Sequence, residues 1–250
     1  MDILLLIAVG IALGLALGLF GGGGGILAVP LLLAIGVPTD EAATTSLVVV
    51  GVGAIGGLIP NARVGRVAWR EGVTFGALGV AGAVLGSKGA LLAPEWAKLW
   101  GFALLLVISG TLMLRKALAP TVADADHERR GWPLIVLVAL AVGLVTGFFG
   151  VGGGFLIVPA LTLVMGMPVH RATATALLVI TINSAAALIP RAGEALDLRV
   201  AAIVAVATLI TGNLAARWSN KWSSRALGIG FGSLVLAMSL VIVWEALNAG

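Results

Sequence analysis

Cysteine is absent from the 250-residue chain, which excludes disulfides, thiolate metal sites and cysteine nucleophiles. Charge is scarce: 10% of the residues are Asp, Glu, Lys or Arg, against about 25% in an average soluble domain. There is no HExxH motif, no intramembrane Ser/His set and no paired Asp set, so the chain has no visible carrier for hydrolytic chemistry and no catalytic residue is expected. The acidic residues Asp40, Glu41, Glu71, Glu95, Glu194 and Asp197 all fall at the ends of apolar segments, and His127 and His170 fall in a linker and a turn. A protein-borne proton relay therefore has little support. A substrate carrying its own proton, an ion held by backbone carbonyls, or gradient-driven flux each fit. Strand-length alternation of apolar and polar residues is missing too, which excludes a membrane β-barrel.

What remains is apolar. Hydrophobic residues make up 60% of the chain and the mean hydropathy is +1.15. The long runs (Ile3 to Phe20, Gly72 to Ala93, Leu99 to Leu114, Pro133 to Phe149, Val200 to Ala216, Ala226 to Trp244) match the ~17–25 residues that cross a bilayer core. The fold class predicted is an all-α polytopic membrane protein. Its first segment has no basic n-region and no convincing cleavage site, so it reads as a retained helix. All seven Trp lie at segment ends or in connections, as an interfacial belt requires. The net charge of +4 comes from loop residues flanking helices and calls for no nucleic acid partner.

A glycine-rich break occurs twice, as GLFGGGGGILAVP from Gly18 to Pro30 and GFFGVGGGFLIVP from Gly147 to Pro159. The copies align at an offset of 129, Gly18 on Gly147, with Gly21/Gly150, Gly23/Gly152, Gly24/Gly153, Gly25/Gly154 and Pro30/Pro159 identical. One inserted residue later the match resumes at 130, through Gly36/Gly166, Pro38/Pro168, Thr45/Thr175 and Pro60/Pro190. The chain is thus two homologous halves, residues 1–116 and 132–250, joined by a polar linker over 117–131. Each half reads as five segments: 3–20, 26–36, 42–60, 72–93 and 99–114, then 133–149, 155–167, 172–189, 198–216 and 226–244.

Whether the short second segment crosses decides the topology. With four crossings per half, Lys and Arg divide nine against six. With five, Arg63, Arg66, Arg70, Arg115, Lys116, Arg129, Arg130, Arg171, Arg217, Lys221 and Arg225 share one side and only Lys98, Arg191 and Arg199 oppose them, with Lys88 inside a segment left out. The positive-inside rule favours five, hence inverted repeats with about ten membrane segments. Segments of 11 and 13 residues reach about 17–20 Å, so re-entrant half-helices stay open as the alternative.

Paired breaks at corresponding places point to a transporter's binding site. Helices starting at Ile26 and Phe155 would aim free amides at the breaks, a ready anion site, while close helix packing is the competing use of the same glycines. Thr44, Thr45, Thr173 and Thr175 open the third segments, after a Pro turn at which Thr39 is a plausible N-cap; they either solvate an anion or bond their own i−4 carbonyls. Asn183, deep in LLVITINSAAALIP, is either helix glue or a ligand contact. Arg191 and Lys88 read as snorkelling cations first and anion attractors second.

The repeated GxxGxGGG-[FI]-L-x-V-P stretch, the G-x-P turn with A-x-x-T-[SA]-L after it, and the two-unit length resemble the TauE/SafE family of sulfite exporters and toluene-sulfonate uptake permeases. The resemblance covers nearly the whole chain outside the linker. It implies an inner-membrane, multi-pass carrier of small sulfur-containing anions, in either direction. Carried onto this chain, the family's glycines are Gly21, Gly23, Gly24 and Gly25, and Gly150, Gly152, Gly153 and Gly154, with Gly22 in the first copy where the second has Val151. The expected partners are a small anion and the bilayer, with a second copy of the chain admitted as a homodimer; no cofactor and no metal is expected. An anion channel, a carrier of a small carboxylate, a membrane enzyme and a non-transporting scaffold are the rival readings.

Overall fold

The computed structural model describes residues 2–90, 93–119, 132–149, 154–191 and 193–248, and among them there is helix and no strand. The first half contains α1 (Ile3–Phe20), a 3-10 turn over Gly21–Gly24, α2 (Gly25–Ala34), α3 (Thr39–Arg63), α4 (Trp69–Ala90) and α5 (Glu95–Leu118). The second contains α6 (Trp132–Phe149), α7 (Gly154–Pro159) running into a π-turn over Ala160–Val164, α8 (Val169–Leu188), α9 (Leu198–Ser219) and α10 (Ser224–Asn248). Among the described residues eight helical stretches are long and apolar enough to cross a membrane, with α1 and α2 joined as one of them over Ile3–Ala34. The expectation of an all-helical, multi-pass membrane protein is borne out. The second segments are short: α2 has 10 residues, about 15 Å of helix, half of a bilayer core.

Local chemistry sets the boundaries. Asp2 caps α1 through the Leu4 amide, and Asp197 caps α9 through the amides of Arg199 and Val200. The G-x-P turns take the same conformation in both halves: Gly36 has φ 87° and Gly166 φ 71°, left-handed values that an L side chain adopts only with strain. Pro38 and Pro168 then stand in the cap positions of α3 and α8 with extended backbone, so Thr39 is the first helical residue and not the cap.

The two halves interleave. α1 packs along α9 and α4 along α6, each helix of one half against a helix of the other, while α3 lies against α8 and α5 against α10. Small residues permit this approach. A Cβ on Gly14 would stand 2.7 Å from the Thr208 carbonyl oxygen and 2.9 Å from the Gly212 nitrogen, and Gly10 and Gly18 are equally tight against α9. Gly82 and Gly86 meet α6 in the same way. Register gives direction. Gly10 faces Val204 and Ala207 while Gly18 faces Gly212 and Ala215, so α1 and α9 run parallel. Gly51 faces Ser184 while Gly57 faces Leu177, so α3 and α8 run antiparallel. Gly110 faces Leu236 and Gly228 faces Ala117, which makes α5 and α10 antiparallel as well.

The single inserted residue of the second copy has a structural counterpart. Between Pro159 and Gly166 the backbone widens into a π-turn in which the Met165 amide donates to the Ala160 carbonyl at 3.1 Å, five residues back. A π-turn is how an α-helix absorbs one extra residue. The first copy, one residue shorter, continues as α-helix through Pro30. The carbonyl of Thr162, inside the π-turn, accepts from Lys116 Nζ on α5.

Candidate functional site

The first glycine break lies against Gly154, at the start of the described part of α7. Gly21 turns the chain out of α1 at φ 67°, its amide donating to the Leu17 carbonyl, and Gly21–Gly24 are all buried. The closest approach is between Gly22 and Gly154: a Cβ on Gly22 would overlap the Gly154 carbonyl, and one on Gly154 would stand 2.7 Å from the Gly22 oxygen. Among the described residues the first-half glycine in contact with Gly154 is Gly22, the residue outside the shared motif. Gly21 abuts Thr173 of α8, Gly24 abuts Leu17, and among the described residues Gly25 meets only Val50 Cγ1, at 3.7 Å. The helix after the first break begins at Gly25, one residue earlier than expected, and Gly154 is already helical. Gly150, Gly152 and Gly153 lie outside the described residues.

The hydroxyls separate into those the fold uses and those it leaves alone. Thr173 donates to the His170 carbonyl at 3.0 Å, the local bond common for Thr in apolar helices. Thr175, fully buried, accepts the Ala68 amide at 3.1 Å and so ties α8 to the start of α4. Thr44 donates to Glu194 Oε2 at 2.7 Å and accepts from Arg191 Nη1 at 3.2 Å. Thr45 is 1% exposed and its hydroxyl has no partner at all. Asn183 repeats the pattern among the amides. Asn61 donates to the Gly57 carbonyl and Asn213 to the Gly56 carbonyl, both acting as helix glue. The buried Oδ1 of Asn183, which faces Gly79 of α4, has no partner. Leaving such a group buried and unbonded costs about 1–3 kcal/mol. Ser109 on α5 and Thr162 carry unbonded hydroxyls as well, so the state is shared by four described residues. The described site residues of the sequence reading are thus distributed: the first break packs on Gly154, Thr44, Thr173 and Thr175 have structural bonds, and Thr45 and Asn183 keep unbonded polar atoms.

Sequence reasoning missed three features. Thr162, 0% exposed, has an unpartnered hydroxyl as well, because the π-turn spoils the i−4 geometry in which Thr normally bonds. The first half has only leucines there, Leu31 to Leu33. At one end of the bundle Arg191 pairs with Glu194 at 3.2 Å, and both bond Thr44 of the opposite half. At the other end Arg66 donates to Asn220 Oδ1 and approaches His170 Nδ1 at 3.4 Å, while His170 Nε2 is 3.0 Å from the Trp222 carbonyl. A carbonyl only accepts, so the imidazole carries its proton on Nε2 and offers Nδ1 to Arg66. Beside the first of these clusters a cleft of about 430 Å³ runs between the α2–α3 turn and the start of α9, lined by Gly36, Glu41, Leu196, Asp197 and Val200 among others.

A polytopic helical bundle built from a duplicated sequence whose helices interleave, with a glycine motif repeated at corresponding places, fits a membrane transporter. The comparisons agree and narrow it. The family model described as Sulfite exporter TauE/SafE matches residues 6–242. The chain is 36% identical over 91% of its length to a probable membrane transporter protein of Xylella fastidiosa strain 9a5c, covering 90% of that protein. It is 26% identical over 96% of its length to a probable membrane transporter protein of Methanocaldococcus jannaschii, covering 94% of it. No solved structure matches. The chain belongs to the TauE/SafE sulfite exporter family, a family of membrane transporters.

Proposed function

We infer that the protein is a secondary carrier of a small sulfur-containing oxyanion, sulfite or a short organosulfonate, bound between the two halves and exposed to the two membrane faces in turn. The observation that carries this reading is the pair of buried polar atoms, Thr45 Oγ1 on α3 and Asn183 Oδ1 on α8, left unbonded in a bundle where the first glycine break packs on Gly154 of the opposite half. An oxyanion accepts hydrogen bonds from hydroxyl, amide and backbone N–H groups. The antiparallel pairing of α3 with α8 and of α5 with α10 supports inverted repeats, because these are the matching helices of the two halves. An inverted pair also supports the five-crossing topology, in which the arginine-rich connections share the cytoplasmic face of an inner membrane.

The test is flux in proteoliposomes with sulfite, sulfate, sulfoacetate, taurine and toluene sulfonate. Saturable uptake of one sulfur oxyanion, with counterflow, is the expected result. Conductance that rises linearly with concentration would assign a channel instead, and uptake confined to a carboxylate would reassign the substrate.

A further inference from the structure

Described hydrogen bonds between side chains of opposite halves gather at two places, and the places correspond. One joins the start of α3 to the connection between α8 and α9, through Thr44, Arg191 and Glu194. The other joins the connection between α3 and α4 to the start of α8, through Arg66 and His170, and extends to Asn220 after α9. Exchanging α3 for α8 exchanges one place for the other. Because α3 and α8 run antiparallel, the two clusters lie at opposite ends of the bundle. Their chemistry is not repeated: Arg66 corresponds to Leu196, Glu194 to Val64 and Thr44 to Ala174, each at an offset of 130. The same joint thus carries a polar clasp at each end of the bundle, built from different residues.

We propose that these clasps are the two gates of the carrier, Thr44–Arg191–Glu194 closing one membrane face and Arg66–His170–Asn220 closing the other. This rests on the carrier reading above. A carrier with one central site needs a closure on each side, made between the parts that move against one another, and made of bonds that exchange readily with water. Both clasps meet those terms: they cross between halves, sit at the ends of α3 and α8 where the halves meet, and consist of partly exposed, charge-assisted hydrogen bonds. The apolar and glycine contacts along the helix lengths are of the other kind, buried and water-free. The clasp residues are positioning residues, which set access and do not touch substrate.

The absence of cysteine makes the test direct. Gly25→Cys is the reporter, since among the described residues a Cβ there meets only Val50, at 3.7 Å. Its labelling by a membrane-impermeant maleimide is timed from each face of oriented vesicles, without sulfite, which would itself consume maleimide. Arg66→Ala speeds labelling about tenfold, the shift expected for one lost charge-assisted hydrogen bond, from the face of the α3–α4 connection only. Glu194→Ala does the same from the opposite face only. Arg66→Lys and Glu194→Gln, which keep one polar partner, give intermediate rates and guard against a misfolded alanine variant. Equal acceleration from both faces, or none from either, overturns the proposal. The readout needs no flux, so a failure of the carrier reading in the uptake assay and a failure of the gates are told apart.

Discussion

Thr45 and Thr175 hold the same place in α3 and α8, and the fold makes use of one of them. Thr175 accepts the Ala68 amide at the start of α4. The matching amide in the other half belongs to Leu198, at the start of α9, where Asp197 has taken over the capping by binding the amides of Arg199 and Val200. Thr45 is left fully buried without a bond. Valine would fill the same space without burying a polar atom, so the hydroxyl is kept against a cost of about 1–3 kcal/mol. The comparison teaches that a duplicated unit keeps its shape in both copies while its polar atoms divide into structural and unassigned ones, and the unassigned ones are where a ligand is to be sought.

The contrast is broken most completely by separating the halves. Gly14→Leu forces a side chain into the backbone of α9 at Thr208 and Gly212, and no monodisperse protein is expected on size-exclusion chromatography. Next come the two unbonded groups. Thr45→Val and Asn183→Leu are expected to lower anion flux about tenfold each, the loss of one hydrogen bond to a charged ligand, while leaving the ligand-free melting temperature unchanged or raised. Thr175→Val sharpens the contrast from the other side: it orphans the Ala68 amide and is expected to cost about 1–2 kcal/mol in melting experiments, with flux per folded molecule near that of the parent. The smallest effect belongs to Thr162→Val, which removes a buried unpartnered hydroxyl from the π-turn and is expected to raise the melting temperature slightly.

Much of the architecture was legible in the residues because repetition is a strong signal. The offset of 129 residues set the two halves, the matched Gly36 and Gly166 marked turns that both adopt left-handed backbone, and the change of offset to 130 is the π-turn itself, although that meaning emerged only with the backbone in view. The clasps were not legible. Arg66, His170, Glu194 and Arg191 have no repeated pattern, and their partners lie more than a hundred residues away for all but the Arg191–Glu194 pair and the His170–Trp222 contact. Sequence alone gave Arg191 the reading of a snorkelling cation, whereas it binds Glu194 and Thr44. Glycine carried two meanings that composition does not separate: the stripe of Gly10, Gly14 and Gly18 serves helix packing, and the cluster at Gly21 to Gly25 breaks a helix.

The central claim, that a sulfur oxyanion is bound between the halves by groups the fold leaves unbonded, is tested most directly by ligand-dependent melting of the parent beside Thr45→Val and Asn183→Leu. At a hundred times the dissociation constant a bound ligand stabilises by about 2.7 kcal/mol. The account predicts that sulfite or a short sulfonate shifts the melting of the parent and that both variants, melting normally on their own, lose most of that shift. Variants stabilised by the anion as strongly as the parent would contradict it.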